Sequence, residues 1–161
     1  MNKKTRFITE AAVIAAIYVV LVYAFQPISY GPVQFRIAEA LTVLPYFTPA
    51  AVPGIGIGCF LSNLLTGADI LDTIFGSLAS LLAAYLSYKL RWNKFLVPLP
   101  PIIVNAIVVP FILKFAYFET NYSIPYMTLT VGSGQVLAAG VLGMVLLLAL
   151  EKVRHVIFKN D

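Results

Sequence analysis

The sequence has few charged residues, and this scarcity excludes several classes of protein. Of its 161 residues, 11% are charged, with 11 Lys+Arg against 7 Asp+Glu, while 60% are hydrophobic. A soluble domain usually carries about a quarter charged residues, because a short chain has a large surface to cover. An ordinary cytosolic enzyme and a disordered chain are therefore both excluded.

Cysteine and histidine are almost absent as well. Cys59 is the single cysteine and His155 the single histidine. One cysteine excludes an intramolecular disulfide and a cysteine-cluster metal site. One histidine near the end of the chain argues against a zinc site and against a Ser-His-Asp hydrolase. We therefore expect no metal, no cofactor and no catalytic residue, and we predict that the protein is not an enzyme.

Long apolar stretches take the place of charge. Residues 40–68, 95–113 and 120–150 contain no charged side chain. A run of 18 or more apolar residues is a candidate for crossing a membrane, because about 20 helical residues span the ~30 Å hydrocarbon core. The runs lack the alternation of a β-barrel strand, so they favour helices. The sequence predicts an all-α integral membrane protein with a single transmembrane domain over residues 1–161.

Proline, glycine and short polar segments divide the chain into six predicted transmembrane helices. These cover residues 8–25, 35–47, 52–66, 70–90, 95–116 and 126–152. Six helices place both termini on one side of the membrane. Nine of the eleven basic residues cluster at the two ends of the chain and in the loop near residues 89–94. By the positive-inside rule, these clusters and both termini are predicted to be cytoplasmic.

The remaining charged residues of this topology fall on the outer side. They are Arg36, Glu39, Asp69, Asp72, Lys114 and Glu119. Ionisable groups at membrane depth are costly and usually face a cavity, so they are functional candidates. Arg36 and Glu39 lie three residues apart on one helix face, which also suits an internal ion pair. Asp69 equally suits an N-terminal cap of the fourth helix, and Lys114 a snorkelling position.

Amides and aromatic side chains add to this outer polar region. Asn63, Asn105 and Gln135 lie inside predicted helices, where each amide needs either an interhelical partner or a ligand. Tyr30 and Phe35 either anchor the first outer loop at the membrane interface or stack on a planar ligand. Carboxylates, amides, one guanidinium and aromatic faces together suit a small, planar, hydrogen-bonding ligand.

Small residues are spaced four apart in two of the predicted helices. In the first helix the pairs are formed by Ala11, Ala12, Ala15 and Ala16. Such spacing lets two membrane helices approach closely, either within one bundle or between proteins. Gly54 and Gly58 have the same spacing, and helix packing explains them better than a dinucleotide-binding loop, since no strand precedes them.

Several segments resemble one family. The run SYGPVQFRIAEALTVLP over residues 29–45 resembles the QueT family of queuosine-precursor transporters, and so do residues 49–54, 63–64 and 72–79. The first of these motifs is long and mixes charged with apolar positions, so a chance match is improbable. The alanine pairs of the first helix are similar to the alanine motif of substrate-binding (S) components in energy-coupling factor (ECF) transporters.

The resemblance implies a fold and a role. It implies a six-helix S component in the prokaryotic plasma membrane that captures a micronutrient from outside. An ECF transmembrane coupling subunit, contacted by the alanine motif, and two ATPase subunits would then drive uptake. The implied substrate is a 7-deazaguanine such as the aminomethyl base preQ1 or queuine, with no nucleic-acid partner. The alternatives are an S component for another vitamin and a stand-alone secondary transporter, although inverted repeats typical of the latter are absent.

The candidate substrate contacts are the polar and aromatic residues of the outer side. They are Glu39, Asp72, Glu119, Asn63, Asp69, Arg36, Asn105, Gln135, Tyr30 and Phe35. One carboxylate accepts both the ring N–H and the exocyclic amine of a guanine-like edge, so Glu39 or Asp72 is expected to read that edge. An aminomethyl arm is cationic, so Glu119 or Asp69 is expected to meet it. Arg36 either keeps the acidic groups ionised or pairs with Glu39.

Overall fold

The computed structural model describes residues 2–29, 35–117 and 122–157, and every regular element in these ranges is helical. In chain order the elements are α1 (Lys3–Ala24), α2 (Gln26–Ser29), a 3₁₀ helix (Ile37–Tyr46), α3 (Ala51–Leu65), a first π-segment (Asp72–Gly76), α4 (Ser77–Lys89), α5 (Leu99–Ala116), α6 (Ile124–Gln135), a second π-segment (Val136–Leu142), α7 (Gly143–Lys152) and α8 (Arg154–Ile157). The prediction of an all-α protein is confirmed for the described residues.

Among the described helices, three are long and apolar enough to cross a membrane. They are α1, α5 and the continuous helix Ile124–Lys152, which joins α6, the second π-segment and α7. The 3₁₀ helix and α3 are apolar but shorter. These helices indicate a membrane protein, while the number of six spans and the orientation of the termini stay predictions.

The predicted second helix proves to be a ten-residue 3₁₀ helix, which is an uncommon length for this conformation. With three residues per turn, side chains at Glu39 and Thr42 stack in one row along the helix. The Thr42 hydroxyl donates to the Glu39 carbonyl oxygen at 2.6 Å. Arg36 caps the helix, and its carbonyl accepts the Glu39 N–H at 2.9 Å. The row therefore places Glu39 one turn below Arg36, inside the bundle.

Glycine allows α1 and α3 to pack at close range. A Cβ atom at Gly54 would lie 2.8 Å from the Ala11 carbonyl oxygen, and one at Gly58 would lie 2.8 Å from the Cβ atom of Tyr18. Any side chain at these two positions would push the helices apart. The interpretation of both glycines as packing residues is confirmed. Gly54 faces Ala11, and Gly58 faces Ala15 and Tyr18. The residue numbers rise in the same direction along both helices, so α1 and α3 run parallel to each other.

Contacts between the segments define two ends of the bundle. At one end, the Thr48 hydroxyl donates to Glu10 Oε2 at 2.7 Å, and Lys94 Nζ lies 2.8 Å from Glu151 Oε2. We name this the basic end, since it carries the basic residues at the start of α1, after α4 and at the end of α7. The opposite end, where α1, α3 and α5 finish, is named the polar end.

Candidate functional site

Glu39 is the centre of a buried polar cluster at the polar end. Only 1% of its surface is exposed. Tyr18 in α1 donates its hydroxyl to Oε1 at 2.6 Å, and Asn105 in α5 donates its amide Nδ2 to Oε2 at 3.4 Å. Both donors are neutral. Since a carboxylate offers about four acceptor positions, Glu39 can accept hydrogen bonds from a further donor.

A second set of contacts joins the 3₁₀ helix to α3 and to the first π-segment. Arg36 is buried, and its Nη2 donates to Asn63 Oδ1 at 2.7 Å. Asn63 is fully buried and donates its Nδ2 to the Asp72 carbonyl oxygen at 3.2 Å. The amide of Asn63 therefore connects a cation on one element to the backbone beside a carboxylate on another.

The Asp72 carboxylate accepts a hydrogen bond from a tyrosine and occupies space beside a glycine. Tyr117 donates its hydroxyl to Asp72 Oδ2 at 3.1 Å. A Cβ atom at Gly76 would lie 2.5 Å from Asp72 Oδ1, so any larger residue there would displace the carboxylate from this position. Asp72 also begins the π-segment, and π-bulges occur frequently at functional sites. Asp72 is thus buried, oriented and placed on an irregular turn.

Asp69 lies nearer the protein surface than Asp72 and contacts the same tyrosine, Tyr117. Its Oδ1 accepts the Leu71 N–H at 2.8 Å, which confirms the prediction that it caps the fourth helix. Its own N–H donates to the Tyr117 hydroxyl at 3.1 Å. An open cavity of about 470 Å³ adjoins this turn and is lined by Gln26, Pro27, Thr66, Gly67, Ala68 and Tyr117. Tyr117 therefore lines the cavity and also bonds to Asp72. The volume of the cavity is typical of a small-ligand pocket.

The other predicted contacts are placed as follows. Gln135 is 3% exposed, and among the described residues its Oε1 is buried and accepts no hydrogen bond. Phe35 is half-buried, and its N–H donates to the Ile28 carbonyl oxygen at 3.2 Å. Tyr30 and Glu119 lie outside the described residues.

Two tyrosines were not among the predicted site residues. Tyr18 is completely buried against Glu39, and Tyr117 bonds to Asp72. Tyr18 carries a recognisable signal, because a phenol hydroxyl inside an apolar membrane helix needs a partner and favours a position opposite a polar side chain. Tyr117 follows the last turn of α5, and its sequence position is equally typical of an interfacial anchor.

The four alanines of α1 divide between two surfaces. Ala11 and Ala15 are buried against Gly54 and Gly58 of α3. Ala12 and Ala16 are exposed, and with residues of α3 they line an open apolar groove of about 660 Å³. One pair therefore packs the bundle internally, and the other pair is accessible.

Comparison with known proteins identifies the family of this chain. The family model described as QueT transporter matches residues 8–152. "Queuosine precursor transporter QueT" of Lactococcus lactis subsp. cremoris (strain MG1363) is similar to this chain, with 38% identity over 82 residues. That alignment covers 50% of this chain and 48% of the relative, so it spans about half the length of the relative. No solved structure matches the chain. The family match extends over most of the chain, and the chain therefore belongs to the QueT transporter family.

Proposed function

We propose that this chain captures a queuosine precursor, a 7-deazaguanine base, at the polar end and acts as the substrate-binding component of an energy-coupled importer. Membership of the QueT family and the name of the relative from Lactococcus lactis, a queuosine precursor transporter, support the proposed substrate. The observation that carries the proposal is the pair of buried carboxylates, Glu39 and Asp72, which accept hydrogen bonds from the described side chains of Tyr18, Asn105 and Tyr117.

The chemistry of the two carboxylates fits such a base. Glu39 is held between Tyr18 and Asn105 and keeps acceptor positions for the ring N–H and the exocyclic amine of a guanine-like edge. Asp72 receives one neutral hydrogen bond from Tyr117 and suits the cationic amine of an aminomethyl arm. Buried charge is costly unless it is compensated. Glu39 and Asp72 are two such buried carboxylates, so the cationic amine of an aminomethyl arm would help to compensate their charge.

Calorimetric binding of preQ1 and of 7-deazaguanine without the arm tests this assignment. Glu39→Gln is expected to weaken the binding of both ligands by about a hundredfold. The new amide N–H₂ is itself a donor and would face the N–H donors of the base. Asp72→Asn is expected to weaken the binding of preQ1 more than the binding of 7-deazaguanine. Glu151→Gln, at the basic end, is the matched control and leaves both affinities unchanged. Wild-type affinity in both polar-end variants would refute the assignment, and a better ligand in a vitamin screen would favour the alternative S component.

The proposed topology has six spans, with the basic end in the cytoplasm of a multi-pass plasma-membrane protein. Basic clusters at one end and buried acidic groups at the other support it. Cys59 is the single cysteine and is buried, so introduced cysteines can be labelled selectively in a Cys59→Ala background. In whole cells an impermeant maleimide is expected to label Tyr122→Cys and to spare Trp92→Cys, both of which are exposed positions. The reverse pattern would overturn the orientation.

The proposed partners are a transmembrane coupling subunit and two ATPase subunits. Exposed Ala12 and Ala16 support a docking face for the coupling subunit, because small residues allow close helix contact. Ala16→Leu is expected to abolish uptake while preserving ligand affinity. Val145→Leu, at an exposed position of α7, is the control and preserves both. Uptake by the chain alone in vesicles would instead identify a secondary transporter.

A further inference from the structure

Gln135 carries a buried oxygen atom without a hydrogen-bond partner among the described residues. Its side chain is as deeply buried as that of Asn105, with 3% exposure for each. Asn105 donates to Glu39, whereas Oε1 of Gln135 accepts nothing. An unsatisfied buried acceptor destabilises the folded protein, and native structures contain few of them. Such a group needs an explanation, and a ligand that donates to it would provide one.

The packing of α6 on α5 shows where this oxygen lies. A Cβ atom at Gly132 would lie 3.6 Å from Ala106, and one at Gly140 would lie 3.5 Å from Ile102. The two helices are therefore antiparallel, and Gln135 lies level with the stretch of α5 that contains Asn105. Gln135 is thus at the depth of the Glu39 cluster.

The backbone at this position is irregular in the same way as at Asp72. The second π-segment begins at Val136, directly after Gln135, just as the first begins at Asp72. A π-bulge inserts a residue into a helix and changes the direction of nearby side chains, and it is frequent at functional sites. Two separate helices therefore become irregular where each carries a buried polar side chain.

We propose that Oε1 of Gln135 accepts a hydrogen bond from the N–H of the five-membered ring of the bound 7-deazaguanine. This inference rests on the proposed function. The two carboxylates suit the guanine-like edge and the cationic arm. The donor that remains on the base is the neutral N–H of the five-membered ring, and the neutral amide oxygen of Gln135 suits it. A sugar or methyl group on that ring nitrogen removes the donor and leaves the oxygen unpaired. The site therefore selects a free base over a nucleoside.

Calorimetry with 7-deazaguanine and its 9-methyl derivative tests the inference. Wild type is expected to bind the free base at least tenfold more tightly than the 9-methyl base, and Gln135→Leu is expected to reduce this ratio to about one. Ser133→Ala, an exposed position of the same helix, is the control and keeps the wild-type ratio. An unchanged ratio in Gln135→Leu would overturn the inference. Failure of wild type to bind either base would instead refute the proposed function.

Thermal unfolding of the ligand-free protein gives a second, independent readout. Gln135→Leu is expected to leave the unfolding midpoint unchanged or to raise it, since it replaces an unpaired polar atom by an apolar one. Asn105→Leu is the matched comparison and is expected to lower the midpoint, because Glu39 loses a donor. An equal fall in both variants would show that Gln135 bonds within the protein, and this would also overturn the inference.

Discussion

Acidic side chains at the two ends of the molecule have different partners. At the basic end, Glu10 accepts from Arg6 and Glu151 from Lys94, both at 2.8 Å. The side chains of these pairs are a quarter to a third exposed. At the polar end, Glu39 accepts instead from Tyr18 and Asn105 and is almost wholly buried. Exposed ion pairs contribute little stability, whereas a buried carboxylate depends strongly on each of its donors.

The difference supports the proposed assignment of the polar end, rather than the basic end, as the binding surface. A carboxylate that already pairs with a cation offers fewer acceptor positions to a ligand, whereas Glu39, with one described donor on each oxygen, keeps acceptor positions for one. The first arrangement suits an end that orients the chain in the membrane. The second suits an end that receives a polar substrate. Variants at the two ends test this difference.

Glu39→Ala is expected to give the largest effect. It leaves the buried Tyr18 hydroxyl and the Asn105 amide without an acceptor, so the free energy of unfolding should fall by about 2 kcal/mol. Thermal or denaturant unfolding in detergent micelles measures this change. Glu39→Gln keeps an acceptor oxygen for Tyr18 and should lose less stability. Equal loss in both variants would mean that the charge, rather than the hydrogen bonds, stabilises the cluster.

Gly76→Ala is expected to give an intermediate effect. Its Cβ atom would lie 2.5 Å from Asp72 Oδ1, so the carboxylate must move. Displacing one hydrogen-bonding group should weaken preQ1 binding about tenfold by calorimetry, which corresponds to ~1.4 kcal/mol. Gly140→Ala in the second π-segment is the matched control, since its Cβ atom would meet Ile102 at an ordinary 3.5 Å. Equal affinities in the two variants would contradict the role of Gly76.

Lys94→Ala, at the basic end, is expected to give the smallest effect. The hydrogen bond that Lys94 donates to Glu151 raises the pKa of Lys94 above its usual value. Whatever the pair contributes is present below the ordinary lysine pKa of about 10.4 and is lost as the pH rises through the raised value. Because the pair is exposed, the unfolding midpoint of Lys94→Ala at pH 7 should equal that of wild type. A clear fall would show that the basic end also depends on its polar contacts.

Much of the candidate site follows from rules of composition. Arg36, Asn63 and Asp72 are polar residues near the ends of apolar helices, where desolvation makes an unpaired group costly. The structure brings these three together. The sequence did not indicate the 3₁₀ helix or the two π-segments, because these depend on how neighbouring helices compete for space. Tyr18 also escaped prediction, since its role depends on which side of α1 faces Glu39.

The sequence by itself determined that the chain is helical, apolar and suited to a membrane, because hydrocarbon demands internal backbone hydrogen bonds and few charges. It also determined the family, through the long motif at residues 29–45. Only the tertiary structure decided which alanines are accessible, because the rotation of α1 is fixed by its contact with Gly54 and Gly58. The same packing placed Glu39 between two neutral donors and left Gln135 Oε1 buried without a hydrogen-bond partner among the described residues.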